Sequence, residues 1–226
     1  MKKIIATVLA AALVFSMAAC GTEKKSEGVM TYSEYEAAAL DTEVTVETYV
    51  QAKQSWWNNQ GTFYTQDKEG GYFLYNMPCS EDEYNKLTPG TKIKVKGYKS
   101  EWSGEVEITD ATFEIESGSY IATPVDVTKL LGTDELIKKQ NQLVSFKGMT
   151  VVSVSYKNDQ PGDDIYVTLS KDGKNYDFCL EYYLNGSDEE FYNLVSGLEA
   201  GQTVDVEGFL YWYEGANPHI TKVTVK

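Results

Sequence analysis

Apolar and polar residues alternate over two stretches of this chain: Ile93 and Val95 lie between Lys92, Lys94 and Lys96, and Val204 and Val206 lie among Thr203, Asp205 and Glu207. A period of two is that of a strand with one buried face and one wet face. Both stretches sit in the same frame. Leu87, Gly90, Gly97 and Gly104 recur as Leu198, Gly201, Gly208 and Gly215, with spacings of 3, 7 and 7 and a constant offset of 111 residues. An aromatic cluster follows each strand, Tyr98 and Trp102 in the first copy and Phe209 through Tyr213 in the second. One β-rich unit has been used twice.

Upstream of each strand stands a helix-start signature, Ser80 followed by Glu83 and Ser187 followed by Glu190. Serine with an acid three residues later is the capping box, in which each side chain satisfies the other residue's free backbone N–H. The spacing turns Tyr84 and Leu87 toward the core from the first helix, and Phe191, Leu194 and Leu198 from the second. Before the helix come three strand-like stretches in each copy: 43–54, 61–67 and 71–77, then 143–156, 164–170 and 175–184. The turns 68–71 and 171–174 carry the glycine and acid or lysine residues of a hairpin. Short helical stretches, 32–40 and 133–142, precede the copies.

Three strands, a helix and two strands is the order of the OB fold, a small five-stranded Greek-key barrel. Here the chain resembles the OB-fold domains of exported bacterial proteins, on the repeated Leu-x-x-Gly, alternating strand, glycine and aromatic hairpin. The fold class implied is mainly β, two five-stranded barrels each with a short helix between strands 3 and 4. The boundaries are 31–116 for the first barrel, 117–125 for a linker and 126–226 for the second.

OB barrels take ligands on the face of strands 2 and 3, framed by the loops joining strands 1 to 2 and 4 to 5. Carried onto this sequence, that implies a ligand-binding set of Trp56, Trp57, Tyr64, Tyr72 and Trp102 in the first copy. The second copy offers Tyr156, Tyr211, Trp212 and Tyr213. Trp56 and Trp57 are neighbours among Ser55, Asn58, Asn59 and Gln60, so alternation exposes at least one ring. Exposed rings beside amides suit sugars and also stack on bases. The competing reading is barrel capping, with rings closing the ends and their polar tips wet.

The amino end is a separate matter. Lys2 and Lys3 precede an apolar run from Ile4 to Met17, too short to span a bilayer and followed by Ala18 and Ala19. This is a signal peptide, residues 1–19. Met17-Ala18-Ala19-Cys20 resembles the lipobox of bacterial lipoproteins, with Met in place of the usual Leu. The resemblance implies a diacylglyceryl anchor on Cys20, an extracytoplasmic protein held on the cell membrane, and a flexible tether over 20–30.

Charge and chemistry then narrow the function. Past the signal peptide, 18 lysines and no arginine stand against 34 acidic residues, a net charge of −16. That balance disfavours nucleic acid as a partner, because phosphate binding normally shows as a basic patch. His219 is the only histidine, beside Pro218 at the start of a final strand, and reads as a surface or hairpin residue. No nucleophile–base set, metal cluster or cofactor motif can be assembled around it. Asp163, Asp164 and Asp172 read as turn residues, and Lys92, Lys94 and Lys96 as a solvated face. Cys79 and Cys179 are not equivalent in the two copies and read as separate half-buried thiols. The function expected is a non-catalytic module binding a glycan or envelope component on its aromatic loops. The alternatives are docking of an envelope protein, or single-stranded nucleic-acid binding by OB-fold habit.

Overall fold

The computed structural model describes residues 25–226; the expected signal peptide, its expected cut and Cys20 lie outside the described residues. Helix α1 (Tyr32–Ala37) leads into β1 (Glu43–Lys53), β2 (Gln60–Gln66) and β3 (Gly71–Pro78). Then come α2 (Glu81–Lys86), β4 (Thr91–Trp102) and β5 (Glu105–Ser119). These five strands close into a barrel in the order β1-β2-β3-β5-β4, with β4 returning antiparallel to β1 and only β3–β5 parallel.

The second half repeats the plan. After β6 (Val125–Asp126) come β7 (Leu143–Tyr156), β8 (Ile165–Lys171) and β9 (Lys174–Leu180), the helices α3 (Tyr182–Asn185) and α4 (Glu189–Ser196), then β10 (Thr203–Phe209) and β11 (His219–Val225). The sheet runs β10-β11-β9-β8-β7-β6, and β10 pairs with β7 as well. Strands β7 to β11 therefore form the same cycle as β1 to β5, and the one parallel contact, β11 on β9, falls at the equivalent place. Strand β6 is an extra edge beside β7.

The alternation read from the sequence decides what each barrel encloses. Val44, Val46, Phe63, Leu74, Ile93, Val95 and Ile108 are buried in the first, and Val144, Phe146, Val167, Phe178, Val204 and Val206 in the second. The repeated glycines have physical reasons. Gly90 and Gly201 turn the chain at φ +91° and +89°. At Gly97 and Gly208 the adjoining strand passes so close that a Cβ would stand 2.7 Å from the Thr109 carbonyl oxygen and 2.3 Å from that of His219.

Several expectations are corrected. The first capping box forms, Ser80 accepting from Glu83 N while Glu83 accepts from Ser80 N. The second does not: α3 consumes the chain up to Asn185, and Asp188 becomes the cap of α4, accepting from Phe191 N. The helix starts one residue late, while Leu198 is buried and Phe191 packs against the core as expected. Tyr192 and Val195 go inside, and Leu194 is 42% exposed.

The third strand of the second copy ends at Leu180, not 184. The helical stretch 133–142 is a short 3-10 turn at Leu136–Lys139. The linker is tied down, since β5 continues through Ser119 and Gln51 accepts from Ala122 N. The described part of the tether, residues 25–30, is likewise bound: Lys25 donates to the buried Asp67 carboxylate and to the Glu47 carbonyl, and Met30 N donates to Thr45. Lys92 is not simply solvated, because it pairs with the buried Glu47 at 2.8 Å and with Glu116 at 2.9 Å. Cys79 and Cys179 are both free and buried.

Candidate functional site

The two barrels meet on the face of β2 and β3, where an OB barrel by itself would be open. Tyr64 stacks on Phe209 at 4.5 Å and lies 4.9 Å from Phe73, and these three rings form a buried cluster between the barrels. The Tyr64 hydroxyl and His219 Nδ1 share a hydrogen bond of 2.5 Å. His219 is thus 6% exposed and a seam residue, not a surface one. Burial lowers its pKa to about 3, so the ring is neutral.

The hairpin joining β10 to β11 reaches across to the hairpin joining β4 to β5. Trp212 N donates to Glu105 Oε2, Glu214 N donates to the Ser103 carbonyl, and the Trp212 ring covers Gly104, where a Cβ would stand 2.7 Å from it. Gln140 donates to the same Glu105 oxygen and Asn141 to the Val106 carbonyl. Burial raises the Glu105 carboxyl to about 8, and its other oxygen has no partner.

Beside this seam the barrels leave an open cleft made of two adjoining cavities. One, of about 410 Å³, is lined by Ser55, Trp57, Thr62, Asn76 and Tyr183. The other, of about 450 Å³, is lined by Phe73, Trp102, Glu107, Glu181, Tyr211 and His219. Gln54 and Tyr75 border both, so the two adjoin. Trp57 is 60% exposed, Tyr183 61%, Trp102 55% and Tyr75 45%, and each ring is free on at least one side to meet a ligand.

The cleft's walls follow from local rules. Period two along β3 turns Tyr72 and Leu74 into the barrel and Phe73 and Tyr75 out of it. The bulge at Asn76, with φ +48°, sits at the cleft's edge. Tyr183 is carried by α3 and fixed there, as Ser55 N donates 2.7 Å to its carbonyl. Glu181 caps α3 by accepting from Leu184 N. Burial, and then the nearby Asp164, raise its carboxyl to about 7. Glu107 is 7% exposed and is raised to about 7 by burial alone.

Of the residues singled out in the sequence, Trp57, Trp102 and Tyr211 come together in this cleft, and Tyr213 flanks it, its ring 5.2 Å from that of Trp102. The others do not. Tyr64 and Tyr72 are fully buried, the first under the second barrel and the second inside the first barrel against Tyr35, so neither can meet a ligand. Trp56 caps its barrel, half-buried, with Nε1 donating to the Cys79 carbonyl. Tyr156 stacks on Tyr192 and packs against the second barrel's core, and Trp212 is spent on the seam. Tyr75, Tyr183, Gln54, Glu107 and Glu181 escaped the sequence reading. For Tyr75 the alternation along β3 was a sufficient signal; for the others nothing local was.

No protein-family model matches this chain, and no curated protein matches it. Among solved structures, a murine DNA binding protein bound with double-stranded DNA is similar at 13% identity and a TM-score of 0.39, over 80% of this chain and 96% of that one. A HINa domain in complex with a 20-base-pair double-stranded DNA gives 14% and 0.36, over 82% and 98%. The single-stranded DNA binding protein from Thermus aquaticus gives 13% and 0.26, over 81% and 93%. The expectation that charge sets nucleic acid aside is corrected accordingly. Those two proteins are described as bound to DNA, and the net charge of a whole chain does not fix the chemistry of one face.

Proposed function

We propose that this chain is a non-catalytic binding protein that holds an oligomer of flat rings along the cleft between its barrels, with oligosaccharides as the first ligand class. The observation that carries this reading is the run of exposed rings, Trp57, Tyr183, Tyr75 and Trp102, along two adjoining cavities. Aromatic faces pack on the apolar faces of sugar rings, and Gln54, Ser55 and Asn76 supply amides and a hydroxyl for the sugar hydroxyls.

A second reading, single-stranded nucleic acid, rests on the same rings, because every base has a face that stacks. Nucleic acid is also the ligand named for the similar solved structures, which is a statement about those proteins. One titration separates the two. Tryptophan fluorescence is followed against envelope oligosaccharides and against homopolymeric oligonucleotides at low salt. Saturable binding that weakens about tenfold in W57A and W102A is expected, since stacking contributes roughly 1–3 kcal/mol per ring. Binding of oligonucleotides alone would put the second reading in place of the first, and binding of neither class would end both.

The proposal also has the chain exported and held on the membrane by a diacylglyceryl group on Cys20, as its amino-terminal sequence implies. The full-length chain is expected in the membrane fraction and its C20A variant in the soluble one. Identical partition of the two would contradict the anchor.

A further inference from the structure

Within the deeper cavity, Glu107 is a carboxyl without a partner. Only 7% of it is exposed, it lines the cleft between Phe73, Trp102 and Tyr211, and among the described residues nothing donates a hydrogen bond or forms an ion pair to it. Glu181 faces the same space, with Oε2 taken by Leu184 N. Lys157 borders the cavity too, but its ammonium is held by Asp164 at 3.0 Å and Asp163 at 3.6 Å, so the cleft's own cation is already spent. An acid that lines a cleft with no donor from the protein is left to water or to a ligand for its hydrogen bonds.

The ring geometry points to the same class of ligand. Aromatic faces attract cations electrostatically, and more strongly where water is excluded. Trp102, Tyr211, Phe73 and Tyr75 surround the carboxyls, and Tyr211 is fixed by stacking on the neutral His219 at 4.3 Å. Rings around the unpartnered Glu107, with Glu181 beside it, form a socket for a positively charged nitrogen, which a neutral sugar would leave unfilled.

We propose that the cleft is selective for a ring oligomer bearing a free ammonium group, an amino sugar with an unacetylated nitrogen, which places that group between Glu107 and Glu181. This rests on the oligosaccharide reading and narrows it. The ammonium donates to Glu107 and pairs with the Glu181 carboxylate, while the sugar rings continue along Tyr75 toward Trp57. Both carboxyls titrate near neutrality because of burial, and a bound cation would hold them ionised.

The test uses three β-1,4-linked hexamers that differ only at carbon 2: glucosamine, N-acetylglucosamine and glucose. Affinities are measured by calorimetry at pH 7 with the full mature chain. The expected result is at least tenfold tighter binding of the glucosamine hexamer than of the other two, a preference lost in E107Q and reduced in E181Q. Equal affinity for all three would overturn the ammonium site and leave the oligosaccharide reading standing. Binding of none would remove both. If E107Q does not fold, the order of the three hexamers on the unaltered chain and the response of E181Q still decide the matter.

Discussion

Glu105 concentrates the chemistry of the seam in one side chain. It is fully buried, accepts from Trp212 N and from Gln140, and has one oxygen without a partner, while burial raises its pKa from 4.5 to about 8. A carboxyl raised on folding favours the protonated native state, so its contribution is complete below about pH 4.5 and is lost as pH climbs toward 8. Glu107 and Glu181, raised to about 7, act in the same direction over a narrower window. Unfolding free energy is therefore expected to fall between pH 5 and pH 8, and E105Q to match the unaltered protein at pH 5 while exceeding it by roughly 1–3 kcal/mol at pH 8. Urea melts of both chains at the two pH values check this. Equal stability of both chains at pH 8 would mean that Glu105 is better solvated than its burial indicates. None of this was legible in the sequence, where Glu105 is one acid among 34.

At the scale of elements, what the sequence disclosed was what repeats. The glycine frame, the alternating fourth strands and the first capping box each follow from a local rule, and β7 has the bounds 143–156 that its pattern predicts. The errors came where two local rules competed. Ser187 and Glu190 satisfy the capping-box spacing, yet Asp188 offers a charged acceptor one residue on, and α3 leaves Ser187 in the turn between two helices. Leu194 faces outward and Val195 inward, while Phe191 and Leu198 keep the core contacts that their spacing predicts. The aromatic hairpins show the same limit. Spacing marks them as exposed loops, but it does not say that the hairpin after β10 lands on the hairpin after β4, taking Trp212 out of play and leaving Trp102 and Tyr213 open.

At the scale of the whole molecule, the duplication explains both the site and the difficulty of reading it. One barrel alone would present β2 and β3 as a binding face; here the second barrel covers the half that holds Tyr64 and Phe73 and turns the other half into one wall of a cleft. The second wall comes from Glu181, Tyr183 and Tyr211, more than 100 residues away in sequence. Tyr183 is 126 residues from Trp57 and Glu181 is 74 from Glu107, separations over which no joint pattern shows, so only the folded chain brings them to one cleft. The four tryptophans make this claim directly measurable. The oligomer that binds in the fluorescence titration is added to nitrogen-15-labelled protein, and the four indole N–H signals are followed. The account predicts large shifts for Trp57 and Trp102 and an unmoved signal for Trp56, whose Nε1 is engaged with the Cys79 carbonyl. Shifts confined to Trp56 or Trp212, with Trp57 and Trp102 unmoved, would place the ligand elsewhere and contradict it.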